Sequence, residues 1–374
     1  MKGHYGRQIA RAIRSFITEK PDLALRYKHA KSVVRSFRNP AFYEIATRCN
    51  LTCEGCYYFG NENAPPTDGN RPLEEWQRFF AKEAARGVTM AYFVGAEPAL
   101  KQERLLAAAP YFPYGNIGTN GTVRIDPAVP YRIGVSIWAG EESSDIELRG
   151  GSAFRKALHN YRGDPRAIML FTVTQWTINQ VETVAEMCQD HGVQLTFNLY
   201  SPTHTFQAKL AQGVDNDRDH FRLSRTGHAP ILDDAALVEV HRTLAETLDR
   251  FPETVVYAHP FNDFICTSHP RYELDPETGV AIDCGSRIVP PMRYYTTDLT
   301  AQAVKCCTPE VDCAHCRLYS GGWSSKFVPG ISDVKDDVSF ERWLDMMETL
   351  GRIFLYPRDR HAERFDNAMT KQMD

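Results

Sequence analysis

Three cysteines fall within eight residues, in Cys49-Asn50-Leu51-Thr52-Cys53-Glu54-Gly55-Cys56, directly after the apolar run Phe42–Thr47. A cubane iron–sulfur cluster has four irons, each of which takes a thiolate. Three thiolates leave one iron without a protein ligand and open to a small molecule. A structural zinc site needs four ligands, and no nearby Cys or His follows Cys56. The spacing therefore favours a cluster with an open corner over a zinc knuckle.

A second group of thiols lies between residues 260 and 330, which hold six of the ten cysteines. Cys266, Gly279 and Cys284 fit C-x12-G-x4-C, and Asp275-Pro276-Glu277-Thr278-Gly279 between them is a hairpin signal. Cys313-Ala314-His315-Cys316 adds a C-x2-C pair. Cys266, Cys284, Cys313 and Cys316 make either a closed cluster or a four-Cys zinc site, and Cys306 or Cys307 can replace Cys266. Cys188 sits in a helical pattern beside Val184 and Met187 and reads as a buried apolar thiol.

The elements that position these groups alternate. Runs rich in β-formers occur at Phe42–Thr47, Met90–Val94, Asn116–Thr119, Ile133–Trp138, Ile168–Thr174 and Gln194–Leu199. Helical patterns at Leu73–Arg86, Ala153–Tyr161 and Asn179–His191 fall between them, whereas Pro127 and Pro130 argue against a helix after Thr119. Such alternation implies a parallel sheet and an α/β fold. Residues 201–231 break the rhythm with turn-rich sequence, of the kind that is functional or mobile when so long. Helices resume at Asp233–Arg250, capped by Asp233 or Asp234, and over most of Asp333–Leu355.

The composition, 43% hydrophobic and 24% charged, is that of an ordinary globular protein, and no apolar stretch reaches the length of a membrane span. Arg11 and Arg14 interrupt Ile9–Ile17, so a secretory signal is not expected there and a cytoplasmic location is. Cysteines in that compartment are metal ligands more often than disulfides. The net charge of −4 hides an asymmetry: residues 1–38 carry an excess of +8, leaving −12 for the rest by difference. Ile9, Ile13, Phe16 and Ile17 recur at helical spacing among Arg7, Arg11, Arg14 and Lys20. This is either a helical cap packed on the core or a basic helix lying on an anionic membrane surface.

The C-x3-C-x2-C motif resembles the signature of the radical S-adenosylmethionine (SAM) superfamily. Polar residues at the C-terminal ends of the β runs strengthen the resemblance. Gly95-Ala96-Glu97-Pro98 is similar to the family's Gly-Gly-Glu-Pro, which receives the amino group of SAM, with Ala96 replacing the second Gly. Thr119-Asn120-Gly121 resembles a family turn, and Arg149-Gly150-Gly151 a family segment before the fourth helix. The resemblance implies that Ser136 reaches the ribose or carboxylate of SAM, that Arg149 pairs with the carboxylate, and that Asn198 faces the cofactor. The residue before the third cysteine is usually aromatic in this family and contacts adenine; here it is Gly55, so Tyr57 is the candidate to replace it. Residues 256–330 resemble the twitch module, the half-length relative of the SPASM domain, which holds one auxiliary four-iron cluster.

The resemblance implies a partial (β/α)6 barrel with a small C-terminal iron–sulfur α+β module. On that reading residues 1–38 are a basic helical extension, 39–255 the barrel, 256–330 the auxiliary module and 331–374 a C-terminal helix and tail. It further implies two 4Fe-4S clusters, SAM as cosubstrate, a flavodoxin or ferredoxin as electron donor, and no nucleic-acid partner. The expected substrate is a small molecule, a natural-product intermediate or a lipid-linked compound. A ribosomal peptide is the alternative, although 38 residues are too few for a winged-helix leader-binding domain, and no segment has room for a cobalamin domain. A non-catalytic zinc- or cluster-binding protein is the alternative of another class.

Overall fold

A computed structural model describes residues 2–356 apart from 61–70, 214–216, 289–291, 303–305 and 307–309. All six expected strands form: β1 (Ala41–Ala46), β2 (Met90–Gly95), β3 (Tyr114–Thr119), β4 (Arg132–Ile137), β5 (Ala167–Val173) and β6 (Gln194–Leu199). Each is parallel to its neighbours, and most of their residues are buried, as a sheet covered on both faces requires. Two further strands extend the sheet beyond β1: β7 (Arg293–Tyr295), parallel to β1, and β8 (Ala301–Gln302), antiparallel to β7. The order is β6-β5-β4-β3-β2-β1-β7-β8. The fold is thus the expected α/β partial barrel, but part of the 256–330 segment belongs to the barrel sheet itself.

Two aromatic layers explain the stability of the sheet. On the helix-covered face Tyr43 packs against Phe80 and Phe112, and its hydroxyl donates to buried Glu83 at 3.0 Å. On the concave face Phe42 stacks on Tyr92 (4.4 Å between centroids) and on Tyr294 (6.0 Å), filling the lower barrel. Phe354, at the end of the helix Asp337–Phe354, meets Tyr92 edge-on. Arg132, at the start of β4, donates to the carbonyls of Ile353 and Arg352 and so holds that helix end against the barrel floor.

The N-terminal extension is two helices, Lys2–Glu19 and Pro21–Arg35. The apolar stripe Ile9, Ala12, Ile13, Phe16 and Ile17 packs on the core, with Phe16 stacked on Phe340. Lys20 pairs with Asp337, and Arg26 with Asp345 and Glu348. The helix therefore uses its apolar stripe inside the protein and turns Arg7, Arg11 and Arg14 outward. Among the described residues no helix is long and apolar enough to cross a membrane. Within 201–231, read as loop from sequence, residues His204–Gln212 are helical, started by a Thr203 hydroxyl that accepts from Phe206 N. No helix forms between β3 and β4, as the prolines require.

Candidate active site at the upper barrel mouth

The cysteine loop leaves the top of β1 and is fixed from three sides. Gly95, at the end of β2, has φ +121°, and a Cβ there would lie 2.5 Å from the Ala46 carbonyl; only glycine lets the two strand ends approach so closely. Ala96 N then donates to Ala46 O and Glu97 N to Arg48 O. From the helix Glu142–Arg149, the carbonyls of Arg149 and Leu148 accept from Thr52 N and Glu54 N. The third side is the 201–231 segment. Glu54 is fully buried, and its carboxylate accepts from the backbone N–H groups of Arg222, Leu223 and Ser224 at 2.7, 3.1 and 2.9 Å. Gly55 N donates to His220 O.

Gly55 itself has φ +56°, and a Cβ would fall 2.7 Å from the ring of Phe206. Phe206, stacked on Phe221, occupies the space next to this backbone. The absence of an aromatic residue at position 55 thus has a steric cause. Tyr57, the expected replacement, is on the cavity wall.

The three thiols face a cavity of about 270 Å³ whose wall also contains Gly95, Ala96, Glu97, Asn120, Ser136, Tyr57, Arg149 and Asn198. These eight expected cofactor residues are brought to one place, whereas Pro98, Gly121, Gly150 and Gly151 of the same motifs are not on the wall. Asn120 Nδ2 lies 3.6 Å from Cys49 Sγ and 2.9 Å from Asn50 Oδ1. Arg149 Nε donates to Cys53 Sγ at 3.1 Å, and its Nη1 to the Ser136 carbonyl at 2.7 Å. Burial works against the Arg149 charge, but Cys53 and Asp145 outweigh it and raise its pKa. Glu97 is a buried hub: Oε1 accepts from Ala99 N and Thr119 Oγ1, Oε2 from Asn120 N. Burial raises its pKa against those hydrogen bonds. Asn198 Oδ1 accepts from Tyr319 N and so ties β6 to the C-terminal segment.

Burial, reinforced by the neighbouring Cys53, pushes the Cys56 thiol up to about 12. A half-buried thiol trio with one guanidinium N–H directed at it suits metal thiolates, because bound iron replaces the protons that burial otherwise retains on Cys49 and Cys56. The donor set therefore fits an iron–sulfur cluster. Other walls of the cavity are Trp138, Leu170, Thr172, Tyr200, Thr203 and Leu318. Trp138 and Tyr200, in edge-to-face contact, were not picked out from sequence, although both stand just beyond a strand end where barrel sites lie.

In the second module Cys284, Cys306, Cys313 and Cys316 are all buried. In every pairing of the four, one thiolate raises the pKa of the other, behind burial as the main cause, so they form one group. Cys266 stands apart. It follows the helix His259–Ile265, its thiol lies 3.4 Å from Asn262 Oδ1, and the charges acting on it are Arg317 and Asp263. No cysteine is among the groups acting on Cys266, whereas Cys306, an expected substitute for it, is grouped with the other three; Cys307 lies outside the described residues. The expected hairpin is present, with Gly279 at φ +66° and Leu274 bridged to Ala281. Among the described residues no three His, Cys, Asp or Glu side chains are gathered as a single metal ion needs. Cys188 is fully buried, as read from sequence.

Comparison with solved structures bears on the fold. The structure of Streptococcus suis SuiB bound to S-adenosylmethionine matches with a TM-score of 0.50 at 14% identity, over 73% of this chain and 61% of SuiB. The chain thus spans less than two thirds of that protein. Native anSMEcpe with bound AdoMet matches with a TM-score of 0.48 at 15% identity, over 71% of this chain and 74% of that one. No family model matches the sequence, and no curated protein matches it significantly. The chain has the fold of the radical SAM enzymes.

Proposed function

We propose that the chain is a radical SAM enzyme whose Cys49, Cys53 and Cys56 hold a 4Fe-4S cluster with one iron open to SAM. The observation that carries this reading is the convergence of three thiols, Arg149, Asn120, Glu97 and Ser136 on one cavity. When bound, the cluster supplies the electron that cleaves SAM to a 5′-deoxyadenosyl radical. The chain's own residues do the positioning. Arg149 offers its guanidinium to the thiolate side of the site, Gly95 lets the ends of β1 and β2 close up beside it, and Glu97 holds the Thr119–Asn120 turn in place. Trp138, Leu170, Tyr200 and Leu318 form an apolar wall that excludes water from the reacting centre.

The substrate we favour is a small molecule whose reacting part is largely apolar. The lipid-linked alternative was motivated by the N-terminal helix, whose apolar stripe is packed on the core; that leaves the basic face alone to support it. Cys284, Cys306, Cys313 and Cys316 are proposed to hold the auxiliary cluster, with Cys266 a spectator.

Anaerobic reconstitution tests both centres. The intact chain is expected to bind about eight irons, and Cys49→Ala/Cys53→Ala/Cys56→Ala about four, with loss of all 5′-deoxyadenosine formation under dithionite. Stoichiometric zinc in place of iron would end the enzyme reading. A separate comparison addresses the second set: Cys306→Ala is expected to lose about four irons and Cys266→Ala none. The opposite pattern would return Cys266 to the ligand set.

A further inference from the structure

We propose that Arg271 and Arg317 are the charge-compensating residues of the second cysteine site and set the reduction potential of its cluster; this rests on the reading that Cys284, Cys306, Cys313 and Cys316 hold the auxiliary cluster. Arg317 follows Cys316 in sequence and is only 1% exposed. An arginine does not give up its proton in a protein, so this charge is permanent. Its Nη1 donates to the Cys316 carbonyl at 2.8 Å and its Nη2 to the carbonyls of Thr267 and Ser268 at 2.8 and 3.2 Å. Its Nε has no hydrogen-bond partner among the described residues. Arg271 is half-buried, with its guanidinium carbon 3.6 Å from the centre of the Phe264 ring, and its Nε is likewise unpartnered among the described residues.

Neither guanidinium is paired with a carboxylate among the described residues. Asp283 acts on Arg271 but is exposed and accepts from Glu273 N. Asp234 feels the charge of Arg317 but is exposed and bonded to His269. The residues of this module that are not described, 289–291, 303–305 and 307–309, contain Lys305 and no acid. The two arginines also act on each other as like charges. Covering two such charges is costly unless an anion lies beside them.

The thiols supply that anion once they carry metal. Burial works against both arginine charges; Cys316 is foremost in opposing it at Arg317, and Tyr272, Asp283 and Cys284 oppose it at Arg271. The packing agrees. A Cβ on Gly321 would lie 3.4 Å from Cys284 Sγ and 3.7 Å from Tyr272 Oη, and the Tyr272 ring is 5.6 Å from the Arg271 guanidinium. Backbone N–H groups of Ser286, Ala281 and Leu318 also favour the thiolate forms of Cys284, Cys313 and Cys316. Four thiolates around a 4Fe-4S core make a dianion, and one added electron makes a trianion. Fixed positive charge favours the trianion more, so the two arginines raise the potential. The site is thereby a better electron acceptor than the same thiols in an uncharged pocket.

The test uses the full chain carrying Cys49→Ala/Cys53→Ala/Cys56→Ala, so that the auxiliary cluster alone gives the signal. Arg271→Met removes a charge without breaking a hydrogen bond, since Arg271 makes none among the described residues. Arg317→Met and Arg317→Lys form the second pair. Redox titration followed by electron paramagnetic resonance is expected to show the equilibrium constant for one-electron reduction falling about tenfold in each methionine variant, roughly 59 mV, with Arg317→Lys close to the parent. In the metal-free chain the sign reverses. Without its anion the charge is a liability, so Arg271→Met should unfold at higher urea than the parent. A purely structural role gives the opposite pattern, a lower urea midpoint with an unmoved potential, and that pattern overturns the proposal. A loaded cluster whose potential stays the same in Arg271→Met also overturns it, whether or not Arg317→Met folds. Failure of the parent to take up iron would instead remove the auxiliary-cluster reading, and the proposal with it.

Discussion

Glu54→Ala is expected to destabilise the cluster-free chain by roughly 3–5 kcal/mol, because one buried and two half-buried N–H groups lose their acceptor, a loss that costs about 1–3 kcal/mol for a buried group and less for the other two. The carboxylate is fully buried and bonded to Arg222 N, Leu223 N and Ser224 N. Glu54→Gln keeps one acceptor oxygen and turns an NH2 toward the remaining donors, so its loss should be intermediate. Urea unfolding of the three proteins measures this. The same substitution frees the 219–224 segment from the cysteine loop, so iron should leave the reconstituted alanine variant faster under a chelator. An unchanged urea midpoint together with unchanged iron retention would show that Glu54 does not hold the loop.

Glu44→Gln should stabilise the protein, and only at higher pH. Glu44 is 6% exposed on β1, and one of its carboxylate oxygens has no partner among the described residues. Burial pushes its pKa up from 4.5 to about 7, a hydrogen bond from Tyr294 opposes the shift, and Asp298 adds to it. The folded chain therefore binds this proton more tightly than the unfolded chain, and stability falls as pH rises. The penalty is absent below about 4.5, grows toward 7 and then levels off. At about 1.4 kcal/mol per unit it reaches roughly 3 kcal/mol. Glutamine carries no charge to bury and keeps an acceptor for Tyr294. Denaturation at pH 5 and pH 8 should therefore show Glu44→Gln gaining on the wild type by about that amount between the two conditions. A gain that does not change with pH would refute the assignment.

The barrel was legible because its signals are local. Short apolar runs bounded by turns gave six strands to within one or two residues, and the polar residues just after them proved to share one cavity. Strands β7 and β8 were missed because three- and two-residue segments carry no periodicity; β7 is a strand only because β1 offers it a free edge. Glu54 gave no signal either, since an acid between two cysteines reads as solvated until the 222–224 backbone is folded over it. The choice between Cys266 and Cys306 could not be read from spacing. It depends on where the helix His259–Ile265 ends and on the buried Arg317 beside it, and both are tertiary facts.

The bond from Arg132 to the Ile353 carbonyl spans 221 residues of sequence. At synthesis rates of about 5–20 residues per second, the ribosome needs roughly 10–45 seconds between those two points. Throughout that interval the barrel floor lacks its last helix while the cysteine motif is already outside the exit tunnel. Iron delivered during translation would meet a half-built cup.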